Sequence, residues 1–361
     1  MRMEFSARIT PFMPLADARF LDESASVRRG CAYAECAEFL ARAEFFSSGR
    51  DALLRAIKLS RLQGKTLWLP HYFCPWVVKS AETFAANECA RVRFYAAYPT
   101  TGAEFETLIE AATGDAVVAV DFFGTGFGGW GEWKRANADV LLLADASHAP
   151  FAAWAREIGA DFVFASLRKT LPVPDGGFLF SPERNPNKMY RDFGEIAEFA
   201  AVYSLAAAMA QVDYERAEDF YYNAEMRLNA KRGISRMSFY THNILKMFDL
   251  QSLWQARKSA VCAFEKAVGG AENFGLLQSG VEKLDALSVF CPTLVFGDVR
   301  ARDRAYAALG RAGVLASIYW GAKFLKDTRA KSESAGLMTI PLDFRHTCAD
   351  AEKIADILLN A

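Results

Sequence analysis

Val140-Leu-Leu-Leu-Ala-Asp-Ala-Ser-His148, Gly159-Ala-Asp-Phe-Val-Phe-Ala-Ser-Leu-Arg-Lys169 and Pro172-Val-Pro-Asp-Gly-Gly177 follow one another closely in the chain. The first two are short apolar runs that each end in a polar cluster, Asp145 with His148 and Ser166 with Lys169. Such runs read as strands buried on both faces, and in an open parallel sheet ligands sit at the carboxyl ends of the strands. An acid at one strand end and a lysine beyond the next could then face a common ligand. Outward from this stretch, residues 66–69, 91–95, 116–123, 140–144, 162–165 and 177–180 are further β-rich runs separated by helical or loop-like segments. The alternation predicts an α/β large domain with a mostly parallel sheet flanked by helices.

Before these strands, Ser47 and Ser48 stand where a helix cap would, and Leu53, Ala56, Ile57 and Ser60 repeat at helical spacing, with Gly64 closing a helix of about four turns. Residues 1–46, with a candidate helix at 32–43, form an arm or part of a minor domain. Beyond Pro186 the chain favours helix, notably at 195–216 and 252–268. Past Gly280 come β-like runs at 288–296 and 314–320 and a last helix at 348–359. The predicted organisation is therefore an N-terminal arm, a large domain over 47–240 and a smaller α+β C-terminal domain over 241–361.

The chain has 361 residues, with 42 Lys plus Arg against 43 Asp plus Glu; no global field draws it to nucleic acid or an anionic membrane. Seven cysteines, odd in number and without a CxxC pair, read as reduced thiols and point to the cytoplasm. No continuous apolar stretch opens the chain, and the most apolar later segment, 199–210, falls short of the roughly twenty residues a membrane span needs. Metal hydrolysis is disfavoured because His71, His148, His242 and His346 lie far apart without an HExxH motif. Gly124-Thr-Gly-Phe-Gly-Gly129 has the wrong glycine spacing for a dinucleotide fingerprint.

Residues 47–181 resemble the fold-type I pyridoxal-phosphate (PLP) enzymes, and among them the DegT-type sugar aminotransferases. The resemblance rests on Ala144-Asp145-Ala146-Ser147-His148-Ala149, on Ser166-Leu167-Arg168-Lys169 followed by Asp175-Gly176-Gly177, and on the helix-opening Ser48-Gly49-Arg50. It implies PLP as cofactor, with Lys169 as the Schiff-base lysine, Asp145 paired to the pyridine nitrogen and His148 near the phenolic oxygen. Ser48, Gly49, Arg50 and Ser166 would surround the phosphate at a helix start, although Arg50 stands where the family has threonine. Leu69-Pro-His-Tyr-Phe-Cys-Pro-Trp76 is similar to the family's aromatic segment with the register off by one, so Tyr72 and Phe73 are both candidates to stack on the cofactor, with core packing as the other explanation. Asp121-Phe-Phe-Gly124 resembles a loop near the substrate. In the C-terminal part, Arg345 is a candidate clamp for a substrate carboxylate or else the ion-pair partner of Asp343, and Trp320 a candidate for the substrate entrance.

The activity so implied is ping-pong transfer of an amino group from an amino acid donor, glutamate or glutamine, to a keto sugar nucleotide or related ketone acceptor, by a homodimer. The same Lys and Asp would also serve elimination, decarboxylation or condensation on an amino acid. A catalytically silent binding protein of the same fold is disfavoured by the presence of both residues.

Overall fold

Ser48 caps the helix Gly49–Ser60, its side chain accepting from Asp51 N at 3.2 Å. Leu53, Ala56, Ile57 and Ser60, the residues at helical spacing, are all buried. The helix runs twelve residues and ends at Arg61, whose φ of 51° turns the chain ahead of Gly64. The computed structural model describes residues 41–182, 213–230 and 233–361. The expected helices at 32–43 and 195–216 lie almost wholly outside these residues, as do the apolar segment 199–210, Cys31 and Cys36.

Along the chain the strands are β1 (Glu44–Phe46), β2 (Thr66–Pro70), β3 (Arg91–Tyr95), the hairpin of β4 (Ala97–Tyr98) and β5 (Gly102–Ala103), β6 (Ala116–Val120), β7 (Leu141–Asp145), β8 (Phe162–Ser166) and β9 (Gly177–Phe180). Seven of them form one sheet in the order β1-β9-β8-β7-β6-β2-β3. The pairs β2/β3, β2/β6, β6/β7 and β7/β8 are parallel, while β9 runs antiparallel to both β1 and β8. Every residue of β2, β6 and β8 is buried, the two-sided burial that their apolar runs predict. Residues 44–46, expected in the N-terminal arm, are a strand of the large sheet, too short for any period to show.

Because the strands run parallel, their carboxyl ends share one edge of the sheet. Ser47 and Ser48 after β1, Tyr72 after β2, Asp121 after β6, Asp145 closing β7 and Ser166 closing β8 all emerge there. Gly177 opens β9 at the same level, opposite Phe46 on one side and Ser166 on the other. A Cβ on Gly177 would lie 2.3 Å from the Ser48 carbonyl carbon and oxygen, and one on Gly49 would lie 2.8 Å from Ser166 N. Only glycine permits that approach of the helix start to the two strands.

The C-terminal part has a three-stranded antiparallel sheet, β10 (Gly275–Leu276), β11 (Thr293–Val295) and β12 (Leu337–Thr339), in that order. Helices Leu250–Ala267, Val299–Ala312 and Cys348–Leu359 close a second core with it around Phe264, Leu294, Leu309, Met338 and Ile354. The last helix spans the expected residues and starts in a capping box between Thr347 and Asp350. The runs at 288–296 and 314–320 are corrected. Only 293–295 form a strand in the first, and the second touches the sheet through the single bridge Ser317 to Thr339. The third strand comes instead from Leu337–Thr339, three residues whose β character lies in its pairing rather than in a local pattern.

Candidate active site

Asp145 is buried at the end of β7, and its Oδ1 accepts from Ser147 N at 2.9 Å. Burial raises its carboxyl pKa, and Lys169 and Ser147 act in the opposite sense. The Ser147 hydroxyl accepts from Ser166 N at 3.0 Å, which ties the turn after β7 to the end of β8. Past Ser166 a single 3-10 turn, Leu167–Lys169, is held by Leu167 N donating to Gly176 O at 3.0 Å. That turn brings Lys169 Nζ to 3.2 Å from His148 Nε2. Asp145, His148 and Lys169, expected to act together, are thus gathered at adjacent strand ends.

His148 is fixed on three sides. Phe123 N donates to its Nδ1 at 3.0 Å, and its ring lies between Phe123 (4.9 Å, 9°) and Phe290 (4.6 Å, 29°). Burial first, and then the neighbouring Lys169, push the imidazole pKa well below its usual value. The ring is therefore neutral, with Nδ1 beside Phe123 N and Nε2 facing Nζ. Phe123 itself has φ 57°, a left-handed conformation that costs a bulky side chain roughly 1–3 kcal/mol. The strained residue is the one that both donates to His148 and stacks on it.

Asp121 lies beside this cluster, its Oδ1 accepting from Gly126 N at 2.8 Å and its own N donating to Asp145 O at 3.0 Å. Burial, more than the nearby Asp145, raises its pKa to about 7. The folded carboxyl holds its proton to higher pH than the unfolded one, so its stabilising contribution is complete below about pH 4 and is lost as the pH rises through about 7. Asp121→Asn keeps an acceptor oxygen and removes the ionisation. It is expected to match the parent near pH 4 and to exceed its stability by on the order of a few kcal/mol at pH 8. Urea unfolding at both pH values measures this, and identical pH dependence in the two proteins would refute it.

At the helix start, Gly49 lies against the Ser166 backbone, while Ser48 caps the first turn and the Ser47 hydroxyl donates to Asp51. Arg50 turns toward the helix Tyr214–Ala230, where its Nη1 donates to Leu228 O at 3.2 Å. Tyr72 is fully buried; its ring meets Phe122 edge-on (5.8 Å) and Trp320 at a tilt (5.2 Å), and its hydroxyl donates to Tyr319 O. Phe73 is buried in the main core. Tyr72 and Trp320, far apart in sequence, are therefore in contact.

Arg345, expected either as a carboxylate clamp or as the partner of Asp343, is that partner. Its Nε lies 2.8 and 3.0 Å from the two Asp343 oxygens and its Nη2 2.7 Å from Oδ2. Burial alone would raise the Asp343 carboxyl, but Arg345 and His346 bring it down to about 2. The arginine that sequence reasoning missed is Arg257. It lines a cavity together with Lys169, Phe290, Tyr319, Leu342 and Asp343. A signal for it exists: within Leu250, Leu253, Trp254, Arg257, Ala260, Val261 and Phe264, a buried helical stripe, it is the one charged residue. Cys291 lines the same cavity, and burial raises its thiol pKa; the Cys74 thiol is likewise raised by burial.

Among the described residues no group of three or more His, Cys, Asp or Glu side chains could hold a metal ion, and no helix is long and apolar enough to cross a membrane. The donor set does fit PLP: an amine for its aldehyde, a buried carboxylate for a ring nitrogen and a glycine-permitted helix start for a phosphate.

No family model and no curated protein matches the chain. Solved structures do. A DegT DnrJ EryC1 StrS aminotransferase from Brucella abortus is 16% identical, with 94% of this chain and 91% of that one covered and a TM-score of 0.60. The 3-amino-5-hydroxybenzoic acid synthase is 14% identical, with 99% of each chain covered and a TM-score of 0.64. Spr1654 from Streptococcus pneumoniae, in its PLP form, is 13% identical over 98% of each chain, with a TM-score of 0.62. Identities of this size carry the fold and nothing finer, and on that they agree: this chain is folded as the DegT-type aminotransferases are.

Proposed function

We propose that this protein is a PLP-dependent aminotransferase of the DegT type. The observation that carries the reading is the placement of Lys169 Nζ 3.2 Å from the neutral His148, beside a buried strand-end carboxylate, Asp145. The fold shared with aminotransferases, one of them solved in PLP and PMP forms, supports it.

When bound, PLP supplies an electron sink for the negative charge left on the substrate carbon after proton loss. Lys169 holds the cofactor through Nζ and, once released, moves a proton at the substrate carbon. Asp145 keeps the ring nitrogen protonated; its burial makes that pairing strong, since a buried carboxylate is costly until a cation meets it. His148 presents Nε2 at the reacting end, held in place by Phe123 and Phe290. Ser48, Gly49 and Ser166 hold the phosphate, with Arg50 adding positive charge nearby. Tyr72 orients the ring from the β2 end and, through Tyr319 and Trp320, couples it to the substrate side. The amino donor is glutamate or glutamine and the acceptor a keto sugar nucleotide or related ketone. The protein works as a cytoplasmic homodimer, with a large domain over 47–240 and a small one over 241–361.

Borohydride reduction of the PLP-loaded protein, followed by peptide mass spectrometry, is expected to find the adduct on Lys169. Glutamate added before reduction should convert the cofactor to its amine form and prevent the adduct. Absence of an adduct at Lys169 would end the cofactor reading; an adduct formed equally with every amino donor present would end the transaminase one.

A further inference from the structure

Asp175 is fully buried in the turn that leads into β9, and the reaction as described makes no use of it. Its carboxylate accepts three hydrogen bonds from the start of the helix Phe239–Leu245: Oδ2 from Ser238 N at 2.7 Å, and Oδ1 from Ser238 Oγ at 2.7 Å and from the Thr241 hydroxyl. Ser238 is the cap of that helix, its Oγ accepting in turn from Thr241 N at 3.1 Å. The next residue, Gly176, reaches two parts of the site at once. Its N donates to Ser47 O at 2.9 Å, just ahead of the helix start at Ser48, and its O accepts from Leu167 N at 3.0 Å, in the turn that carries Lys169. Gly176 has φ 130°, a conformation open to glycine, and glycine brings no stiffness of its own. It is held on one side by the pairing of Gly177 in the sheet and on the other by the Asp175 carboxylate. The segment that grips Asp175 supports the helix start by a second route, since Ser47 N donates to Ser235 O at 3.0 Å and Arg236 bridges to Phe46.

We propose that Asp175 is a positioning residue for the cofactor: gripped by Ser238 and Thr241, it fixes through Gly176 the separation between the helix start at Ser48 and Lys169, and with it the fit of a ligand that must meet both. The proposal rests on the aminotransferase reading, which supplies that ligand as PLP, with an aldehyde for Nζ and a phosphate for the helix start. Two anchors on one small, rigid molecule reinforce each other only while the groups that receive them are held at the matching distance. If the grip on Asp175 is loosened, the Gly176 hinge lets the helix start and the lysine turn shift against each other. A ligand that engages the lysine alone follows that shift at little cost. A ligand that spans both loses the advantage of its second anchor.

The test compares PLP with pyridoxal, the same aldehyde without its phosphate, on the full-length protein freed of cofactor. Each aldehyde is titrated, the mixture is reduced with borohydride, and the adduct at Lys169 is quantified by peptide mass spectrometry. The parent is expected to take PLP at a much lower concentration than pyridoxal. Asp175→Asn, which sets an amide NH₂ against donors that a carboxylate accepts, should weaken PLP by about tenfold or more and leave pyridoxal within about twofold. Unchanged PLP affinity, or an equal loss for both aldehydes, would overturn the assignment; the equal loss is what a merely structural carboxylate gives. Thr241→Val removes one donor and keeps the shape, so it should show the same selective loss in smaller measure, and Thr241→Ser should restore PLP. Should Asp175→Asn fail to fold, Thr241→Val decides by the same comparison. A parent without a PLP adduct at Lys169 fails the cofactor reading itself, whereas a parent adduct with no selective loss in the variants fails this proposal alone.

Discussion

Lys169→Ala is expected to lower transamination by at least about 10³-fold while leaving the thermal midpoint close to the parent's. Removing the amine removes both the covalent attachment point for the cofactor and the group that moves the proton, and proton transfer by a positioned side chain alone accounts for roughly 10²–10⁴ in rate. The fold has little stake in it, because Lys169 is only half-buried and its amine meets the buried His148. Lys169→Arg should be as inactive, since a guanidinium forms no such attachment. Single-turnover conversion of the loaded protein by glutamate and a melting curve measure both effects. Turnover within tenfold of the parent in either variant would remove Lys169 from the reaction.

Gly177→Ala should have the largest effect on stability, on the order of 3 kcal/mol or more. The added methyl would stand 2.3 Å from the carbonyl of Ser48, and nothing there can move independently. Gly177 is paired with Phe46 on one side and Ser166 on the other, and Ser48 caps the helix Gly49–Ser60. Relief of the clash must therefore push the helix start from the sheet edge, which would also weaken PLP binding if that start holds the phosphate. Gly310→Ala is the control. Gly310 lies in the helix Val299–Ala312 with open space at its Cβ, and alanine there should stabilise by about 0.5–1 kcal/mol. Urea midpoints read both, and a neutral Gly177→Ala would show that the approach of helix to strand is not a constraint.

The large sheet was legible because its strands carry their own signal. Runs such as 116–120 and 162–165 are apolar on both faces, and that pattern survives without knowledge of any neighbour. The small sheet was legible only in part: β11 falls inside the run at 288–296, whereas β12, three residues long, is a strand only by its pairing with β11. The same distinction runs through the site. Asp145 and Lys169 were readable as strand-end residues. Tyr72, by contrast, reaches Tyr319 across 247 residues, and no local pattern announces that contact.

By itself the sequence determined that Asp145, Ser166 and Lys169 share one edge of a sheet, because buried parallel strands joined by crossovers must present their carboxyl ends on the same side. The tertiary structure alone decided which arginine is held by a buried ion pair. Arg345 and Arg257 are indistinguishable as residue types, and the sequence pointed to Arg345. Folding places Arg345 on Asp343 and leaves Arg257 beside Lys169, its Nε and Nη1 unmet among the described residues. That choice is made by burial: a carboxylate withdrawn from water is matched by the cation that reaches it with the best geometry.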